Sequence, residues 1–143
     1  MSVEDQLLPE ITREQLAALL ERHNLGPLEQ IEMLRGGIVN PMLRVNRRMV
    51  VRINRRDPDL PKLAWEALVY RRLRAANVPC PEVLALDTNR DLVPYDVLVL
   101  NYVEGVAGAA VWTELDLPVR DALSEELGRI CGTIHTLPWP VYG

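Results

Sequence analysis

The stretch Met42 to Ile53, "MLRVNRRMVVRI", constrains the fold more than any other part of the sequence. On both sides of Asn46-Arg47-Arg48, apolar and polar side chains alternate or run apolar, as in short strands with a buried face. Three residues are too few for a crossover to a parallel neighbour, so the two flanking strands must be antiparallel. A second turn candidate, Gly36-Gly37, precedes them. Strands are therefore expected over 28–34, 38–45 and 49–53, as a three-stranded antiparallel meander.

Helical periodicity brackets this meander. In "TREQLAALLERHNLGP", Thr12 and Gln15 have capping-box spacing, and Leu16, Leu19 and Leu20 form a stripe, which predicts a helix over 12–25. "DPDLPKLAWEALVYRRLRAANVPCP" predicts a second, with Asp59 as cap, Pro61 in the first turn and Asn77 at the end. Two further strands follow, Val83 to Leu86 and Tyr95 to Val103, joined by the polar turn "DTNRDLVP". Leu123, Leu127, Ile130, Ile134 and Leu137 fall on one face of a final helix over 119–137. The expected class is α+β, on a five-stranded antiparallel sheet.

At 143 residues the chain is long enough for one core, with 48% hydrophobic and 25% charged residues. The acidic start "MSVEDQLLPE" does not read as a secretory segment, and Asn101 and Glu104 interrupt the most apolar stretch, so no membrane span is expected. Cys80 and Cys131 lack ligand spacing and read as buried thiols of a reducing cytoplasm. His23, near a helix end, reads as solvated or capping.

Positive charge is concentrated. Residues 44–74 hold ten basic side chains against three acidic ones, in a chain of net charge −4. An anionic partner is implied for that segment, and a small phosphate ligand suits an acidic protein at least as well as nucleic acid does. Backbone N–H groups can cradle a phosphate only where no side chain blocks approach, which Gly36-Gly37 allows, with Asn40 adding an amide donor. Gly-Gly is equally an ordinary hairpin turn. Glu66 sits at the edge of the apolar stripe of its helix, and Arg52 interrupts the apolar run of its strand. Each would be costly to bury alone. Lys62, one turn upstream, could partner Glu66 as a solvated pair. Alternatively Arg52 and Glu66, both inward-facing, meet each other.

The order of these parts resembles the nucleotide-binding lobe of the aminoglycoside phosphotransferase and choline kinase-like family, with its protein-kinase-like fold. The matching pieces are "GGIVNPMLRV", "VVRI", "WEALVYRRL", "VLVLNYVEG" and "LGRICGTIHTL", from about Ile31 to Leu137. The resemblance implies an N-terminal ATP-binding lobe over 1–104, followed over 105–143 by a hinge and the first helix of a second lobe. It places Gly36, Gly37 and Asn40 over the phosphates and Arg52 on the α- and β-phosphates, oriented by Glu66. Val50 would pack on adenine, Leu100 would line the back of its pocket, and the backbone of Asn101 and Val103 would hydrogen-bond the purine. The strand cation is arginine where lysine is more usual in the family; arginine grips phosphate through a planar fork. The remaining arginines, Arg35, Arg44, Arg47, Arg48, Arg55 and Arg56, are expected on a solvated face and turn.

Full activity of that family also requires a His-Gly-Asp loop ending in Asn and a later Asp for Mg²⁺, and neither pattern occurs in these 143 residues. His135 matches a structural histidine and is expected to be packed. The segment alone is expected to be inactive, as an isolated domain, a proteolytic fragment or a truncated gene product. The full enzyme would transfer the ATP γ-phosphate to a hydroxyl of a small molecule. Two alternatives stand beside this reading: a non-catalytic nucleotide- or protein-binding module, and a nucleic-acid binder using the arginine hairpin.

Overall fold

In the computed structural model, residues 6–8, 11–34 and 42–139 are described. The chain divides into two compact units, residues 1–71 with 81–103, and residues 72–80 with 104–143.

Among the described residues, the first unit contains seven strands: β1 (Gln6–Leu8), β2 (Ile11–Thr12), β3 (Ile31–Met33), β4 (Met42–Val45), β5 (Met49–Ile53), β6 (Val83–Asp87) and β7 (Val97–Asn101). The last five form an antiparallel sheet in the order β3-β4-β5-β7-β6, the expected five-stranded sheet. β1 and β2 make a separate two-stranded pair that no sequence pattern announced. The turn between β4 and β5 is where it was expected, with Asn46 and Arg47 at φ 50° and 59°.

Helix α1 (Arg13–Arg22) starts as the sequence predicts: Thr12 Oγ1 accepts from the Gln15 N–H, and the Gln15 side chain accepts from the Thr12 N–H. It ends earlier than expected, at His23, because Asn24 turns left-handed at φ 55°. β3 is shorter than 28–34 for a specific reason. The Asn46 side chain accepts from the N–H groups of Glu29 and Gln30, so a turn side chain bonds that backbone.

Helix α2 (Lys62–Ala75) begins later than its sequence pattern suggests. The Pro61 carbonyl accepts the first helical bond, from Trp65, so Asp59 lies two residues outside the cap position. Asn54 instead organises this entry. Fully buried, it donates from Nδ2 to the carbonyls of Asp57 at 2.8 Å and Leu60 at 3.0 Å.

The sheet packs on both faces, because its side chains alternate. One face carries Leu43, Val45, Met49, Val51, Ile53, Val97 and Val99 against Ile11, Leu16, Leu19 and Leu20 beside and on α1. Each of these buried leucines contributes about 2 kcal/mol. The other face carries Val50, Leu98, Leu100 and Leu86 against Leu63, Ala67 and Tyr70 of α2.

The second unit includes the end of α2, a short helix α3 (Gly108–Val111), a 3₁₀ turn (Trp112–Glu114) and α4 (Leu117–Thr136). α3 and the 3₁₀ turn occupy a stretch with no sequence signal. α4 starts two residues before the expected position, with Pro118 in its first turn. Its stripe is open, with Leu123 and Leu127 exposed. Two expectations of burial do not hold here: Cys131 and His135 are both exposed, on a helix that buries none of its residues. Among the described residues, no helix is long and apolar enough to cross a membrane.

Candidate functional site

β5 buries Met49, Val51 and Ile53 on one face and so turns Val50 and Arg52 to the other. α2 packs on that second face through Leu63 and Ala67, which brings Glu66 to the sheet. Arg52 Nη1 donates to Glu66 Oε2, with the two side chains 22% and 34% exposed. The open choice of partner is thereby decided. Lys62 pairs with Asp57 upstream and leaves Glu66 to the strand arginine.

Two arrangements aim this pair. The Asn54 amide fixes the loop that leads into α2, and Arg90 fixes it from the other side, pairing with buried Asp96 while donating to the Pro58 carbonyl. The guanidinium keeps donor capacity beyond Glu66: Arg52 Nε is buried with no hydrogen-bond partner among the described residues. The side chain is nevertheless partly exposed, and a partly open planar cation on this face suits an anionic ligand.

Register sets the neighbours. Arg52 lies between Met42 and Leu98, and Val50 between Arg44 and Leu100. Val50, Leu100 and Arg52 therefore share one face, an apolar platform beside a cation. Leu100 is only 4% exposed, packed with Leu63 and Ala67 of α2. The two backbone positions differ. The Asn101 N–H already donates to the Glu82 carbonyl, and its side-chain Oδ1 accepts from the Glu82 N–H, so the Asn101 amide proton is committed within the fold. Val103 is 59% exposed at the end of the unit, and its backbone makes no hydrogen bond among the described residues. Gly36, Gly37 and Asn40 lie outside the described residues.

Sequence reasoning missed Arg44 and Tyr102. Arg44 is not on a solvated face: its side chain is 20% exposed and its guanidinium carbon stands 3.8 Å from the centroid of the Tyr102 ring. The signal was available, because alternation with buried Leu43 and Val45 puts Arg44 on the Arg52 face.

A second charged cluster joins α1 to the sheet. Buried Asp87 accepts from His23 Nε2 at 2.9 Å, from Arg22 Nη1 at 3.1 Å and from the Asn89 N–H. Burial alone would raise the Asp87 pKa, but these donors outweigh it and hold the carboxyl below its ordinary value. Arg22 also grips Asp91 through both nitrogens and holds that carboxyl down at about 2. His23 thus closes α1 and braces a carboxylate.

A groove of about 780 Å³ runs along α1, lined by Arg13, Glu21 and Pro27 among others, and does not include Arg52. A second, of about 520 Å³, is lined by Leu25, Arg48, Met49, Leu84 and Asn101. Met49 belongs to the α1 face of the sheet, so this groove is also distinct from the Val50–Arg52 face. Among the described residues, no group of three or more His, Cys, Asp or Glu side chains is placed to hold a metal ion.

The fold is that of aminoglycoside kinases. The chain superposes on the streptomycin–ATP ternary complex of APH(2″)-IIa with a TM-score of 0.67 at 17% identity, covering 92% of this chain and 42% of that one. The GDP and kanamycin complex of APH(2″)-IIIa gives 0.73 at 17% identity, covering 87% and 42%. A putative aminoglycoside phosphotransferase from Ralstonia eutropha JMP134 gives 0.64 at 22% identity, covering 87% and 38%. The chain thus spans about two fifths of the length of these structures. No curated protein sequence matches it. The model of the phosphotransferase enzyme family, however, matches residues 30–142, nearly all of the chain beyond α1 and including every residue of the Arg52 face, and the chain belongs to that family.

Proposed function

We propose that residues 1–104 form the ATP-binding lobe of a small-molecule phosphotransferase, and that residues 105–143 supply the hinge and first helix of its second lobe. The observation that carries this reading is the Arg52–Glu66 ion pair beside the Val50–Leu100 platform. The platform would receive adenine, and Arg52, oriented by Glu66, would hold the α- and β-phosphates. Gly36, Gly37 and Asn40 would cover the phosphates, and the Val103 backbone would meet the purine edge. Asn101 can serve there only as an acceptor, because its N–H is taken.

Bound ATP would supply the γ-phosphate. Mg²⁺ would be held by residues of the second lobe, together with the carboxylate that orients a hydroxyl acceptor. The neighbours' nucleotide and aminoglycoside complexes support a nucleotide and a small-molecule acceptor as partners, and the enzyme is proposed to work in the cytoplasm. On this reading the segment binds nucleotide without turning it over. The exposed Leu123 and Leu127 of α4 favour, as a second reading, a non-catalytic module that binds a protein through this helix.

Thermal-shift titration of the chain with ATP and Mg²⁺ tests the first reading. The melting temperature should rise for the native chain and stay level for Arg52→Ala. Equal responses of the two proteins would remove the basis of the assignment.

A further inference from the structure

We propose that Arg44 stacks on the nucleobase, pressing it onto Val50, and is the residue through which this lobe recognises the base of its nucleotide. The inference rests on the nucleotide reading of the Arg52 face. Arg44 is the direct cross-strand neighbour of Val50, and Val50 of Leu100, so the three form one row across the sheet. Tyr102 lies two residues beyond Leu100 and shares its side of the chain.

β4 and β7 are separated by β5, which puts their backbones about 10 Å apart, two inter-strand spacings. A guanidinium 3.8 Å from the Tyr102 ring brings the two side chains together across β5, where the Tyr102 N–H bonds the Arg48 carbonyl two residues from Val50. The plane is held at its edges: Arg44 Nε donates to the Arg47 carbonyl at 3.1 Å, and Nη1 is 3.8 Å from Glu32. A flat cation is thus already held against a flat ring beside the row that carries Val50, the residue proposed to seat adenine. Guanidinium stacks on nucleobases as it does on tyrosine, so a base entering above Val50 can take the place of the Tyr102 ring against Arg44. A side chain acting only as a charge would have no need of this planar seat.

Isothermal titration of the chain with ATP and with tripolyphosphate, both as magnesium salts, tests the proposal. Arg44→Ala should weaken ATP binding by about 10- to 100-fold, the range of single base-stacking contacts, and leave tripolyphosphate binding unchanged. Arg44→Lys, which keeps the charge and loses the plane, should behave like Arg44→Ala. Arg52→Ala should weaken both ligands. Retained tripolyphosphate binding also certifies that an Arg44 variant is folded.

If Arg52→Ala weakens ATP binding and Arg44→Ala does not, the role of Arg44 is overturned and the nucleotide reading stands. If Arg44→Ala weakens both ligands equally, or Arg44→Lys binds ATP like the native chain, Arg44 is only a phosphate-facing charge. If the native chain binds neither ligand, or Arg52→Ala changes nothing, the nucleotide reading fails and this inference with it.

Discussion

Arg52, on β5, and Glu66, on α2, form an ion pair across fourteen residues of sequence, and each is the other's means of being tolerated against an apolar layer. Their exposure of 22% and 34% makes the pair a modest contributor to stability. Glu66→Gln should therefore cost no more than about 1 kcal/mol in urea denaturation. The same variant should bind ATP more weakly than the native chain, because Arg52 loses the group that orients it. A large stability loss with unchanged ATP affinity would make the pair purely structural.

Arg52→Lys separates charge from shape. Lysine keeps the cation and removes the buried, unpartnered Nε–H, a group whose desolvation costs about 1–3 kcal/mol. Without nucleotide, the melting temperature of Arg52→Lys should equal or exceed that of the native chain. A clear drop in a calorimetric scan would show that the arginine fork holds this layer together in a way the ion pair does not explain.

Asn54→Ala should destabilise the chain by about 1–3 kcal/mol, because two loop carbonyls lose their donor in a fully buried place. Asn54→Asp should be worse, since it sets a carboxylate against the carbonyls of Asp57 and Leu60. Denaturant midpoints of the two variants test the order. If Asn54→Asp is the milder change, the amide is not the tie at the start of α2.

Acid should loosen α1. A carboxyl whose folded pKa is depressed stabilises the fold above its unfolded pKa, and that contribution is lost as pH falls through the folded value. Asp87 and Asp91 both lie below the ordinary 3.8, Asp91 at about 2, so stability should decline from near pH 4 towards pH 2. Asp87→Asn should cost about 2 kcal/mol at pH 7, through loss of charged hydrogen bonds to Arg22 and His23, and should flatten the acid decline. An acid decline as steep in Asp87→Asn as in the native chain would place the responsible groups elsewhere.

Local patterns carried much of the fold. The capping box at Thr12 and Gln15, the turn at Asn46-Arg47 and the alternation of β5 are interactions between residues a few positions apart, so their spacing is visible in the chain itself. The start of β3 was not visible, because it depends on the Asn46 side chain bonding Glu29 and Gln30 from 17 and 16 residues away. The start of α2 likewise depends on Asn54 and Arg90, which meet its loop from two different strand ends.

At the site, sequence by itself determined that a cation and a carboxylate stood where isolated charges would be costly, and that both faced inward. Two partners for Glu66 were compatible with that pattern, and only tertiary structure chose between them. Lys62 was claimed by Asp57, and the packing of Leu63 and Ala67 on Leu98 and Leu100 carried Glu66 to Arg52. The face of Arg44 was legible from alternation along β4, but its contact with Tyr102 belongs to the tertiary level. It joins residues on strands separated by a third, and sheet register, which sets such neighbours, is a property of pairing between distant segments and not of any one of them.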